Sequence, residues 1–83
     1  MASAFKSTDH HEIRTWVEAN NGRPARVRHT GGGRDPGMLR IDFDEPDASL
    51  EAISWEDWFE AFERNHLALL HSPDSRFNKL VER

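Results

Sequence analysis

At 83 residues the chain is sized for one domain, and with only 36% of its residues apolar it is not expected to enclose a large catalytic cavity. It has no cysteine, which excludes a disulfide framework, a thiolate zinc site and a thiol nucleophile. The formal net charge of −4 is unevenly spread: residues 21–41 sum to +4, and residues 42–63 sum to −9 with no base among them.

The opening stretch has neither the apolar run of a signal peptide nor any approach to a membrane span, so the expected location is cytoplasmic. We read residues 1–83 as a single domain, with residues 1–8 a flexible N-terminal segment. A helix is predicted over about residues 10–20. Thr8 or Asp9 serves as its N-cap, Asp9 and Glu12 form a capping-box-like pair, and Ile13, Trp16 and Val17 make a narrow apolar stripe. The run Asn20, Asn21, Gly22 stops it, since Asn and Gly tolerate the left-handed conformation of a C-terminal cap.

After Pro24, Ala25 to Thr30 alternates, with Ala25, Val27 and His29 on one side, and Met38 to Phe43 alternates again with Leu39, Ile41 and Phe43 inward. The glycine-rich loop between them predicts an antiparallel hairpin. An acidic connection with Pro46 leads into the stretch Ile53 to Leu70. There Trp55, Trp58, Phe59 and Phe62 fall at i, i+3, i+4 and i+7, the spacing of one helical stripe. Ser54 is the N-cap, Ile53 can staple onto Trp58, Asn65 ends the helix, and Trp55 in the first turn is the aromatic expected to stay partly exposed. Leu67 to His71 reads as a buried strand. Residues 76–82 form either a returning strand or a helical turn, because Phe77, Leu80 and Val81 also fit helical spacing. The fold class is therefore α+β: a small antiparallel sheet with two helices on one face, in the order αββαββ or αββαβα, without internal repeats.

Motifs for chemistry fail on spacing. His10 and His11 point about 100° apart on a helix, and Thr15 stands where a second zinc-ligating histidine would be needed. Asp42, Asp44, Asp47 and Glu51 have the composition of a calcium loop, but Pro46 and Asp47 occupy a ligand position and the glycine position, and Ile53 replaces the bidentate glutamate. Gly31 to Gly33 is followed by neither Gly-Lys-Ser/Thr nor a helix, so it is a hairpin loop and not a phosphate cradle. No cofactor, metal or catalytic set is expected, and the chain is read as a non-enzyme.

Two resemblances add to this. Ile13, Arg14 and Trp16 with the turn Asn21, Gly22, Arg23, Pro24 are similar to the DNA-binding domain of actinobacterial nucleoid silencers, and a Gly-Arg-Pro core flanked by bases suits a narrow A·T minor groove. Across most of the chain, in His11–Arg14 with Trp16, Gly22–Val27, Pro36–Gly37, Leu39–Phe43, Ile53–Trp55 with Phe59, and Ser75–Val81, it resembles a family of small bacterial proteins often labelled 1,4-α-glucan branching enzyme. That label implies glycosidase-type chemistry on a barrel of roughly 250 residues, which 83 residues cannot build. The resemblance implies a self-contained soluble fold and no functional residues.

Two binding functions are consistent with these patterns. The first is a non-enzymatic interaction module that binds a protein partner or itself, since tryptophan and arginine are favoured in binding surfaces. The alternative is a nucleic-acid accessory protein using the basic 23–40 segment, with Arg23, Arg26, Arg28, Arg40, Arg76 and Lys79 forming one patch for an anionic partner.

Overall fold

The computed structural model describes residues 4–33 and 35–83. Its order is β1 (Phe5–Ser7), α1 (His10–Ala19), β2 (Arg23–Val27), β3 (Leu39–Asp42), β4 (Leu50–Ala52), α2 (Trp55–Arg64), β5 (Leu67–His71) and β6 (Asn78–Glu82). The class is α+β, as expected, but the strands form two three-stranded antiparallel sheets, β1-β5-β6 and β3-β2-β4. The single sheet expected from the sequence is thus divided. β6 is a strand and not a helical turn, and it returns along the whole of β5, from Leu67 opposite Glu82 to His71 opposite Asn78.

Both helices start where the caps place them. The Asp9 carboxylate accepts from the Glu12 N–H at 2.9 Å, and the Ser54 hydroxyl accepts from the Asp57 N–H at 3.0 Å. Each cap satisfies a donor that the first turn cannot. Both helices end on an asparagine whose side-chain amide donates four residues back, Asn20 to the Trp16 carbonyl and Asn65 to the Ala61 carbonyl, each at 2.9 Å. The residues after them, Asn21 and His66, take positive φ of 59° and 53°.

These parallels extend through the chain. α2 repeats α1 at a spacing of 45 positions, β4 repeats β1 at the same spacing, and β5 repeats β2 at 44. The pairings repeat as well: Phe5 faces His71 and Ser7 faces Leu69, just as Leu50 faces Val27 and Ala52 faces Ala25. The structure is therefore a duplicated βαββ unit in which the first strand of each half joins the sheet of the other. The sequence shows no repeat because equivalent core positions carry different residues, Ile13 against Trp58 and Trp16 against Ala61.

Three local expectations change. Segment 1–8, expected to be flexible, supplies Phe5–Ser7 as a strand on the β5 edge, while residues 1–3 lie outside the described residues. Between the acidic connection and α2, where no strand was expected, Leu50–Ala52 forms β4 and pairs with β2. β2 begins two residues earlier than its alternation suggests and stops at Val27, because His29 adopts a left-handed φ of 63° and turns the chain away. His29 is accordingly exposed instead of inward.

The core joins both halves: Ile13 and Val17 of α1 meet Trp58, Ala61 and Phe62 of α2 with Leu39, Ile41 and Leu69 of the sheets. Complete burial of Phe62 contributes about 1.5–3 kcal/mol. The Trp58 N–H donates to the Arg40 carbonyl at 3.1 Å, tying α2 to β3.

Gly22 follows the left-handed Asn21 and does not itself take the left-handed conformation. A Cβ there would lie 2.9 Å from Val17 Cγ1, 3.0 Å from Ile41 Cγ2 and 3.1 Å from Phe43 Cε1, so the glycine is required by close packing between α1 and β3. Gly22→Ala is expected to cost about 1–3 kcal/mol of unfolding free energy. At Gly32 an added Cβ meets nothing within 4 Å, so Gly32→Ala should leave stability within about 0.5 kcal/mol. Urea denaturation of the two variants checks both, and equal midpoints would refute the packing account.

Candidate functional site

The helical stripe of α2 divides its work. Trp58 and Phe62 are fully buried, whereas Trp55 and Phe59 are half-buried and line an open groove of about 590 Å³ between α1 and α2. His10, His11 and Arg14 form the α1 wall, and Glu56, Glu60 and Glu63 are on the α2 wall. His10 stacks on Phe59 with centroids 4.1 Å apart and planes 7° apart, and Phe59 stacks on Trp55 at 5.1 Å and 18°. One continuous aromatic column results.

An ionic network supports one end of this column. His10 Nε2 lies 2.7 Å from Glu63 Oε2, and Arg83 donates through Nη2 to the same oxygen and through Nε to the Leu67 carbonyl. The hydrogen bond from His10, followed by that from Arg83, holds the Glu63 carboxyl below the usual glutamate range. His10 is thus not a free surface histidine. Among the described residues no group of three or more His, Cys, Asp or Glu could hold a metal ion.

The three indoles differ in a way their spacing does not show. Trp16 donates to the Ser72 carbonyl at 2.8 Å and Trp58 donates to Arg40. The Trp55 N–H, at the groove, has no partner among the described residues.

The six bases of the expected patch fall into three groups. Arg23 and Arg76 gather at Phe43: Arg23 donates to its carbonyl at 2.9 Å and lies 3.5 Å from Asp42, while Arg76 donates to Asp44 at 2.7 Å with its guanidinium 5.2 Å from the Phe43 ring centroid. Arg26 and Arg28 clamp Glu51 from both sides, at 2.8 and 3.1 Å. The Arg26 bond, as the larger cause, and the charge of Arg28 lower the pKa of Glu51. Arg40 and Lys79 have no carboxylate partner among the described residues and line one recess between β3 and β6. The basic and acidic blocks of the sequence therefore meet largely through strand register, since Arg26 is the cross-strand partner of Glu51.

Of the residues forming the groove, His10 and His11 were considered from the sequence only as zinc ligands, and Trp55 alone was expected to be a partly exposed aromatic. Phe59 shares its i, i+4 spacing, but His10, Glu63 and Arg83 are far apart in sequence and only the fold brings them together. Among the described residues no helix is long and apolar enough to cross a membrane.

The lowered pKa of Glu63 predicts acid sensitivity. Its contribution to stability is present above the unfolded glutamate value of about 4.3 and is lost as the pH falls through the lower folded value. In thermal melts the difference between wild type and Glu63→Gln should shrink as the pH drops below about 4.3, and a difference that does not change with pH would contradict this. No family model, no curated protein and no solved structure matches the chain.

Proposed function

We propose that the protein is a non-enzymatic binding module that takes a segment of a partner protein into the groove between α1 and α2. The observation that carries this reading is the state of Trp55. Its ring is half-buried at the end of a stacked aromatic column, and its N–H remains unspent among the described residues, although the other two tryptophans donate internally. A rigid ring with an apolar face and a free donor is the kind of side chain that anchors interfaces.

The groove also suggests the chemistry of the partner. Glu56 and Glu60 line the α2 wall, in the segment that carries nine acids and no base. A partner segment with an apolar or aromatic residue flanked by Lys or Arg complements that wall, and the charges would act mainly on association rate and specificity. The nucleic-acid alternative is weakened because four of its six bases already hold carboxylates. Fewer remain to displace counterions from phosphates.

A peptide library displayed on phage and panned against the full chain, with the Trp55→Ala variant as counter-target, tests the reading. Enriched peptides should combine an apolar or aromatic residue with Lys or Arg, and Trp55→Ala should weaken them by about 30-fold or more. If no selected peptide is sensitive to Trp55→Ala, the reading is wrong.

A further inference from the structure

The recess between β3 and β6 has a volume of about 360 Å³, within the roughly 300–1,000 Å³ of small-molecule sites. Its walls are Met38, Leu39, Arg40, Asn78, Lys79 and Leu80, two bases with no acid among them. The other hollows of the surface are lined differently. The α1–α2 groove carries three glutamates, the largely apolar cleft of Phe5, Trp16 and Pro73 on the other flank of α1 carries Glu12, and Asp35 lies in two further hollows. In a chain of net charge −4 a recess with only cationic charge is the exception.

Its charges are unspent. The Arg40 guanidinium donates from Nη1 to the Leu39 carbonyl at 2.8 Å, a bond that holds it against β3. Among the described residues its other N–H donors have no partner, and the Lys79 ammonium has none. Arg23, Arg26, Arg28 and Arg76, by contrast, are all occupied by carboxylates. Beside the two bases the lining is apolar. Leu39 is buried and Leu80 partly buried, whereas Met38 is a large apolar side chain left 50% exposed. The Met38 backbone is fixed, its N–H donating to Thr30 Oγ1 at 3.0 Å and its carbonyl accepting from the Val27 N–H at 2.8 Å. Its flexible thioether can adapt to whatever occupies the recess.

We propose that this recess binds a small carboxylic acid with an apolar body, its carboxylate held by Arg40 and Lys79 and its body against Met38, Leu39 and Leu80. A guanidinium presents N–H donors in the planar geometry that a carboxylate accepts, and the ammonium adds a second charge. An anion also relieves the repulsion of two like charges beside one recess. The apolar lining distinguishes such a ligand from inorganic phosphate, which would gain the charges and leave Met38 in water. A polypeptide strand is disfavoured, because β3 and β6 already approach one another and both border the recess. The site shares no residue with the α1–α2 groove and does not depend on the proposed partner.

Titration of the full chain with hexanoate at neutral pH, followed by nuclear magnetic resonance of the Met38 methyl, the Arg40 Nε–H and the Lys79 side chain, tests the proposal. Acetate, hexanol and inorganic phosphate are the controls. Hexanoate should saturate with a dissociation constant on the order of 1 mM and move the signals of all three residues. A fully buried methylene is worth about 4-fold in affinity, so partial burial of the added methylenes should make hexanoate about tenfold tighter than acetate. Hexanol, which lacks the charge, and phosphate, which lacks the body, should each bind about 3-fold or more weakly than hexanoate. Lys79→Gln should weaken hexanoate about 3-fold and leave hexanol unchanged. Lys79 is exposed, so this variant does not put the fold at stake. Binding of acetate, hexanol or phosphate by the wild type as tightly as hexanoate overturns the proposal, and so does hexanoate binding that leaves the Arg40 and Lys79 signals unmoved.

Discussion

Neither half of this chain can complete a sheet alone, and the rest of the structure depends on that exchange. The first strand of each half is donated to the hairpin of the other, β1 to β5 and β4 to β2, so that β2 and β5 become central strands. The two hairpins β2–β3 and β5–β6 close locally. The pairing of Phe5 with His71 closes nearly the whole chain, and the entropy of that closure is spent only when β5 exists to receive β1. During synthesis β1 therefore waits for β5, whereas β4 emerges after both of its sheet partners, β2 and β3.

The exchange also explains how a domain with few aliphatic residues fills its core. The helices of both halves share one cluster, in which the large rings of Trp58 and Phe62 lie against the smaller Ile13 and Val17. Because those two rings with the aliphatic residues fill the interior, Trp55 and Phe59 remain at the surface of the stripe, where His10 stacks against them. The flanks of α1 then differ in chemistry. One faces an acidic, aromatic groove and the other a largely apolar cleft lined by Phe5, Trp16 and Pro73.

Much of this order was legible from local chemistry. Asp9 and Ser54 mark both helix starts, the spacing of Trp55, Trp58, Phe59 and Phe62 marks the stripe, and Leu67 to His71 is a strand as its short apolar run suggests. β1 and β4 were not legible, because Phe5–Ser7 and Leu50–Ala52 are too short to show alternation and exist only by pairing with a distant partner. The division into two sheets depends on the same long-range pairing. For the site, the half-exposed Trp55 could be read from its place in the first helical turn, but Glu51 between Arg26 and Arg28 could not, since strand register sets it. His71 looks like the polar end of a buried strand, and only the fold shows that both its ring nitrogens are buried without a hydrogen-bond partner.

The free edges of the two sheets bear on what the protein avoids. β3 and β6 approach one another without pairing, each as the edge strand of its sheet, the position at which an incoming strand could add, and Arg40 already donates to the Leu39 carbonyl on β3 at 2.8 Å. Arg40 on one edge and Lys79 on the other line the recess between them, both exposed and both cationic. Like charges across such a gap disfavour direct pairing, and a lone cation on a short edge strand deters an incoming strand from a neighbouring molecule. Of the four sheet edges, these two, β3 and β6, thus carry the bases left over from the internal ion pairs, the kind of charge that disfavours extension of a sheet by a neighbouring molecule.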